Sequence, residues 1–180
     1  MPRYVALFRG INVGKAKRVA MADLRALLDE LGYADVATLL NSGNAVFTGN
    51  AEPAATHAAR IREAVRARLG VDALVIVKSA RDIAAIITGN VLGKVAADHS
   101  RLLVAMTNDT RGLAKVKQLA RGQWGAEKLH VGRHAGYVWC PDGILESKAA
   151  AALLKGLSDT GTTRNWGTLN RIHAKLGGKP

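Results

Sequence analysis

The spacing of apolar residues along the chain predicts alternating strands and helices. Short apolar runs predict strands at about 3–9, 36–40, 45–48 and 73–77, and apolar residues at helical spacing predict helices at 21–31 and 53–69. A run of turn-forming residues, 41–44, separates the second and third strands. The resulting order, β-α-β-β-α-β, is the ferredoxin-like arrangement.

The second half of the chain repeats this pattern. The apolar run 102–106 resembles 4–8, and it precedes a predicted helix at 110–121, strands at 127–131 and 135–140 and a helix at 144–155. No final strand is evident. Instead, a threonine of the Thr162-Thr163 pair is predicted to cap a last amphipathic helix, in which Trp166 is a core anchor.

Together these patterns predict an α+β fold of two duplicated ferredoxin-like halves with antiparallel sheets, plus a C-terminal helix. The predicted divisions are a first half at 1–78, a helical connector at 79–100, and a second half at 101–180 that includes the final helix.

The charge balance narrows the possible partners. The 180 residues include 26 Lys and Arg against 14 Asp and Glu, a net charge of +12. Such a basic chain favours nucleic acid, phosphorylated metabolites or anionic membrane surfaces as partners, although a solvated basic surface would give the same balance.

The single cysteine, Cys140, excludes an intramolecular disulfide and a cysteine-based zinc site. No apolar run approaches the length of a membrane span, so a cytoplasmic protein without a membrane partner is expected.

The loop after the first strand is the principal candidate site. It contains Arg9, Gly10, Asn12 and Gly14, followed by the cations Lys15, Lys17 and Arg18, and it leads into a predicted helix start. Backbone N–H groups and a helix dipole can bind an anion at such a place. A nucleotide-binding P-loop is excluded because the glycine spacing is too short and Ala16 stands where magnesium requires Ser or Thr. The alternative is that the glycines only permit positive φ angles.

Two further segments could join a site. The first and second strands should run parallel, which places the loop 9–18 and the turn residues Ser42, Gly43 and Asn44 at one edge of the sheet. Arg164 could pair with a ligand phosphate or with a carbonyl group at a helix end.

Acid–base and metal chemistry have little support. No carboxylate falls within 9–18, 41–48 or 160–170, so no catalytic residue, metal or cofactor is assigned.

Several predicted helices carry cations in excess of their neighbouring acids, among them the helix with Arg60, Arg62, Arg66 and Arg68. Tyr4, Phe8 and Phe47 could form a base-stacking surface, but the RNA-recognition motif is missing and the rings are predicted to fill a core.

Several segments together resemble a bacterial family known as domain of unknown function 1697. The matching motifs are the segment Leu7–Gly14, Met21 with Leu24, Ser42-Gly43-Asn44 with Phe47, Ser147-Lys148, and Thr162–Trp166 with Thr168. The resemblance implies two ferredoxin-like halves and no established activity. This chain differs at Lys15-Ala16, where a second glycine and a polar residue are usual, which argues against a tight glycine-based phosphate cradle. It also has Asn90-Val91-Leu92 where Asn-Pro-Phe is common.

Three hypotheses follow. The first is a non-catalytic module that binds an anionic ligand, with nucleic acid as the first partner to consider. The second is an enzyme acting on a phosphorylated small molecule, with Arg9, Lys15 and Arg164 binding the anion and no base assigned. The third is a structural or protein-interaction role. The oligomeric state is left open.

Overall fold

Strands and helices follow one another largely as the apolar pattern predicts. The computed structural model describes residues 1–41 and 43–178. Contacts within the chain define two compact units, one formed by residues 1–81 with 172–178 and the other by residues 82–171.

The first unit contains a four-stranded antiparallel sheet with two helices. Its elements are β1 (Arg3–Phe8), α1 (Met21–Glu30), β2 (Ala34–Leu39), β3 (Asn44–Thr48), α2 (Ala54–Leu69) and β4 (Val75–Ser79). The strand order is β2-β3-β1-β4. The strands β1 and β2 both pair antiparallel with β3 and therefore run in the same direction.

The core of the first unit fills the space between the helices and one face of this sheet. Tyr4, Ala6 and Phe8 alternate along β1 and are buried in one cluster with Leu24, Leu27 and Leu28 of α1 and with Ala58, Ile61 and Val65 of α2. Residues on one face of a strand recur at every second position, and residues on one face of a helix recur at every third or fourth position. The buried residues follow these spacings, so each element buries one face.

The second unit contains another four-stranded antiparallel sheet. Its strands are β5 (Leu102–Thr107), β6 (Lys128–Val131), β7 (Gly136–Trp139) and β8 (Gly161–Asn165), in the order β6-β7-β5-β8. The second unit also contains most of α3 (Ala80–Thr88), all of α4 (Thr110–Ala114) and α5 (Lys148–Leu157), the first part of α6 (Trp166–Lys175), and short 3-10 helices at His99–Arg101 and Lys117–Arg121. Both sheets thus have the same strand order, which confirms the predicted α+β class and its two-part layout.

The prediction that the second half lacks a final strand is wrong. Residues 161–165 form β8, which pairs with β5 so that Arg164 lies opposite Val104. The threonines therefore belong to a strand and do not cap the last helix. Asn165 takes that role, because its Oδ1 accepts a hydrogen bond of 2.8 Å from the Thr168 N–H. The apolar pattern does not indicate this strand, because only Gly161 and Thr162 of β8 are buried and the segment contains no apolar side chain.

Two predicted helices have different limits. The helix expected at 110–121 is an α-helix only to Ala114, and the 3-10 helix follows from Lys117. Gly112 and Val116 both have weak helix propensity. Gly112 allows the backbone of α4 to lie close to the Thr107 side chain, because a Cβ atom at position 112 would lie 2.7 Å from Thr107 Cγ2. The helix expected at 144–155 begins at Lys148, where the Ser147 hydroxyl accepts a hydrogen bond from the Ala150 N–H.

Trp166 and Cys140 are both buried, and each supports a prediction. Trp166 is 9% exposed and lies on the buried stripe of α6, as the sequence predicts. Cys140 is completely buried in the core of the second unit, and this burial raises the pKa of its thiol.

None of the helices in the described residues is long and apolar enough to cross a bilayer.

Replacing Trp166 with alanine should lower the free energy of unfolding by about 3–5 kcal/mol, because it removes a large buried side chain and leaves a cavity. Urea unfolding followed by circular dichroism measures the change. Trp124→Ala is the comparison, since Trp124 is only half-buried and should cost less. Wild-type stability in Trp166→Ala would contradict the anchoring role.

Cys140 should not react with Ellman's reagent at pH 8 in the native protein, because the thiolate is the reactive form and burial disfavours it. Unfolding in guanidinium should release one reactive thiol per chain. Native labelling as fast as labelling of the unfolded chain would show that this part of the core is open to solvent.

Candidate functional site

The loop after β1 and the turn after β2 meet at one edge of the first sheet. The Phe8 N–H donates to the Gly43 carbonyl over 2.8 Å, and the Arg9 N–H donates to the Leu74 carbonyl over 2.9 Å. The loop therefore leaves the sheet between the turn on one side and the segment before β4 on the other. Ser42, the remaining turn residue expected at this site, lies outside the described residues.

The Asn12 side chain holds this edge together. Its Nδ2 donates to the carbonyls of Val19, at 2.8 Å, and Asn41, at 3.1 Å, while its Oδ1 accepts from the Val19 N–H at 2.8 Å. The Asn12 main-chain N–H donates to the Lys17 carbonyl at 3.0 Å. One half-buried residue thus closes the loop into a ring from 12 to 19 and ties that ring to the turn.

Gly43 allows the turn to pack against the loop. Its φ of +79° is a conformation that favours glycine, and a Cβ atom there would lie 2.8 Å from Ile11 Cγ1 and 2.9 Å from Phe8 Cβ. Ile11 is buried beneath the loop. Asn44 closes the other side of the turn, since its Nδ2 donates to the Leu39 carbonyl at 2.9 Å. These contacts explain the Gly-Asn pair of the turn motif in structural terms.

Left-handed backbone conformations are concentrated at this edge. Besides the glycines, Asn12, Lys17 and Leu40 have φ angles of 56°, 51° and 59°. For residues other than Gly, Asn and Asp, this conformation costs roughly 1–2 kcal/mol, so the surrounding hydrogen bonds must hold Lys17 and Leu40 in place. Side chains added at Gly10 or Gly14, by contrast, would meet open space.

Three cations in the second half of the loop point into solvent. Lys15, Lys17 and Arg18 are exposed, and none forms an ion pair with a carboxylate in residues 1–41 and 43–178. The Asp72 carboxylate interacts electrostatically with Lys17 of the loop. A hydrogen bond from Arg62 lowers the pKa of Asp72, and the charge of Lys17 acts in the same direction. Two apolar side chains share the edge, with Val13 70% and Leu40 46% exposed.

The arginines of α2 differ from these cations, and the expectation that they exceed the neighbouring acids is wrong. Each forms an ion pair of 2.8–2.9 Å with a carboxylate: Arg60 with Glu52, Arg62 with Asp72, Arg66 with Glu63 and Arg68 with Glu30. Three of these acids lie outside α2 and were not visible as partners in the sequence pattern. Ion pairs therefore engage all four arginines of α2, whereas Lys15, Lys17 and Arg18 form no ion pair with a described carboxylate.

Helix α1 begins directly after the loop. Its N-cap residue is Ala20, which provides no side-chain hydrogen bond to the first turn. Helix α5 provides a contrast. The Glu127 carboxylate accepts hydrogen bonds from the Ser147 hydroxyl and from the N–H groups of Lys148, at 3.0 Å, and Ala149, at 3.1 Å. The start of α5 already holds an anion from its own chain, and Glu127 is the hydrogen-bonding partner of the Ser147-Lys148 pair that the sequence did not reveal.

Arg164 belongs to the second unit. Its Nη1 donates to the Thr162 hydroxyl at 3.2 Å and to the Thr163 carbonyl at 2.8 Å. Burial lowers the pKa of Arg164 to about 10, which leaves it positively charged at neutral pH. These contacts give the residue a structural role in β8, and its proposed contact with a ligand phosphate remains a prediction.

The aromatic residues considered for base stacking lie in the core. Tyr4, Phe8 and Phe47 are at most 4% exposed and lie on the helix-covered face of the first sheet. Tyr4 stacks on Phe47 with 5.5 Å between ring centroids. These rings cannot also form a platform for bases.

Comparison with known proteins identifies the family but not an activity. A family model described as a protein of unknown function, DUF1697, matches residues 1–137. The chain belongs to this family. The solved structure of the conserved bacterial protein SP0830 from Streptococcus pneumoniae is similar, with 25% sequence identity and a TM-score of 0.75 over 97% of this chain and 98% of that one. No curated protein matches the chain. The family match includes the loop and turn motifs, whereas Ser147-Lys148 and Thr162–Trp166 lie beyond it.

Replacing Asn12 with aspartate should destabilise the protein by about 1–3 kcal/mol. Aspartate can still accept the Val19 N–H and tolerates the same backbone conformation, but its carboxylate would face the carbonyls of Val19 and Asn41. Urea unfolding measures the loss.

Asn41→Asp is the matched control, because it adds the same charge at an exposed residue whose main-chain carbonyl, and not its side chain, accepts the hydrogen bond from Asn12. An equal loss in both variants would attribute the effect to charge and would contradict the role of the Asn12 amide.

Proposed function

We propose that this protein is a non-catalytic module that binds an anionic ligand through the loop 9–18, and that nucleic acid is this ligand. The observation that carries the proposal is the presentation of Lys15, Lys17 and Arg18 from a loop whose backbone is fixed by Asn12. A polyanion gains most from cations that are already positioned and do not have to break an ion pair first.

The neutralised arginines of α2 support this assignment. A net charge of +12 could bind nucleic acid diffusely over the whole surface. The four arginines of α2 are paired with carboxylates and are therefore less available to bind a polyanion. The adjacent cations Lys15, Lys17 and Arg18 form a local concentration of charge without such pairs among the residues that the structure describes. The start of α1, without a side-chain cap, adds N–H groups beside Arg18.

The burial of the aromatic rings determines the mode of recognition. With Tyr4, Phe8 and Phe47 in the core, this edge can contact phosphates but cannot stack on bases. Phosphate contacts position a protein on nucleic acid without reading its sequence. Binding should therefore depend strongly on salt and weakly on sequence.

The acidic and metal-ligating side chains near the loop also agree with a binding role. Among the described residues, no three His, Cys, Asp or Glu side chains are grouped so as to hold a metal ion. At the loop edge the neighbouring carboxylate, Asp72, is engaged by Arg62 over 2.8 Å. This arrangement supports binding in preference to acid–base chemistry.

Replacing Lys15, Lys17 and Arg18 together with alanine should weaken duplex DNA binding for every sequence tested. The slope of log affinity against log salt should fall by about 0.9 for each phosphate that the variant no longer neutralises. Fluorescence anisotropy at several salt concentrations, with two duplexes of unrelated sequence, measures both effects.

The control is the triple variant Lys128→Ala, Lys155→Ala and Lys175→Ala, which removes the same three charges from exposed positions elsewhere. If both triple variants lose the same affinity, the binding is diffuse and the loop is not the site. If neither duplex binds the wild-type protein, nucleic acid is not the ligand.

A further inference from the structure

Two clefts in the second unit differ sharply in the charges that line them. One, of about 450 Å³, lies where β5 ends and β8 begins, and its lining includes Asp109 and Asp159 as well as Arg111 and Lys115. Arg111 is already paired with Asp109, at 2.7 Å. The acids and cations of this cleft oppose one another, so it does not select a charged ligand of either sign.

The other cleft has a more selective lining. It encloses about 330 Å³ between α4, the start of the following 3-10 helix and the β6–β7 turn. Leu113, Ala114 and Val131 give it an apolar surface, Thr110 adds a hydroxyl, and its charged residues are Lys117 and Arg133. No carboxylate is among its lining residues.

Packing fixes the backbone elements that carry these groups. Leu113 is buried beneath the cleft, and the 3-10 helix that carries Lys117 packs on β6. The β6–β7 turn is closed by a hydrogen bond of 2.9 Å from the Gly132 N–H to the Ala135 carbonyl, which places Arg133 at its tip. Neither Lys117 nor Arg133 forms an ion pair with a carboxylate in the described part of the chain.

We propose that this cleft binds a small organic acid, a molecule with one carboxylate or phosphate group on a short apolar body. The two cations and the Thr110 hydroxyl suit the acidic group, and the aliphatic surface suits the body. Small-molecule sites typically combine an apolar lining with a few convergent polar groups in a volume of roughly 300–1,000 Å³. This inference is independent of the proposed nucleic-acid binding, because it uses only residues of the second unit.

Isothermal titration calorimetry with the full chain tests the proposal. The probes are octanoate, octyl phosphate and neutral 1-octanol. Saturable binding of at least one anion, and much weaker binding of octanol, is expected, and the ratio of the two anion affinities distinguishes a carboxylate from a phosphate ligand. Absence of saturable anion binding, or equal affinity for octanol, would overturn the inference.

Variants then locate the binding. Lys117→Gln and Arg133→Gln should each weaken anion binding about tenfold or more, since charge-assisted hydrogen bonds contribute that much. Ala114→Leu should block the cleft without changing charge. Arg121→Gln removes the same charge from the end of the same 3-10 helix, outside the cleft, and should leave the affinity unchanged.

Circular dichroism establishes that each variant is folded. Equal weakening in Arg121→Gln, or unchanged binding in all three cleft variants, would place the anion elsewhere. The loop variant lacking Lys15, Lys17 and Arg18 should keep its affinity for octanoate, which separates failure of this inference from failure of the proposed nucleic-acid binding.

Discussion

The amide side chain of Asn12 is the interaction on which the proposed site depends. A loop with two glycines and three neighbouring cations would ordinarily sample many conformations, because glycine is permissive and like charges repel. Three side-chain hydrogen bonds from one residue join its two ends and anchor it to the adjacent turn. Close packing of Gly43 over Ile11 and Phe8 then leaves the turn little room to move.

Charge pairing decides which cations the proposed acidic ligand could contact without breaking an ion pair. The total charge of the chain indicates a preference for anions but gives no location. In the first unit, carboxylates from several elements pair with the α2 arginines, whereas Lys15, Lys17 and Arg18 have no such partners in the described residues. The number of cations in a helix is therefore a poor guide to a binding surface unless the positions of the surrounding acids are known.

Much of the fold could be predicted from the sequence, because buried apolar runs and helical stripes are local signals. The edge shared by the loop and the turn also follows, since the parallel direction of β1 and β2 is a consequence of strand order. Strand β8 could not be recognised, because its residues are Gly, Thr, Arg and Asn and their strand conformation comes from pairing with β5. The pairs formed by Arg60, Arg62 and Arg68, like the capping of α5 by Glu127, depend on contacts distant in sequence, which no periodicity reveals.

The most direct test of the proposed site is a map of backbone amide chemical shifts during titration of the ¹⁵N-labelled protein with duplex DNA. We expect the largest changes at residues 13–18, at Leu40 and Gly43 of the neighbouring turn, and at the first turn of α1. The amides of α2 should change little, because its arginines remain paired with carboxylates. Changes centred on α2, or spread evenly over both units, would contradict the assignment of the loop as the binding site.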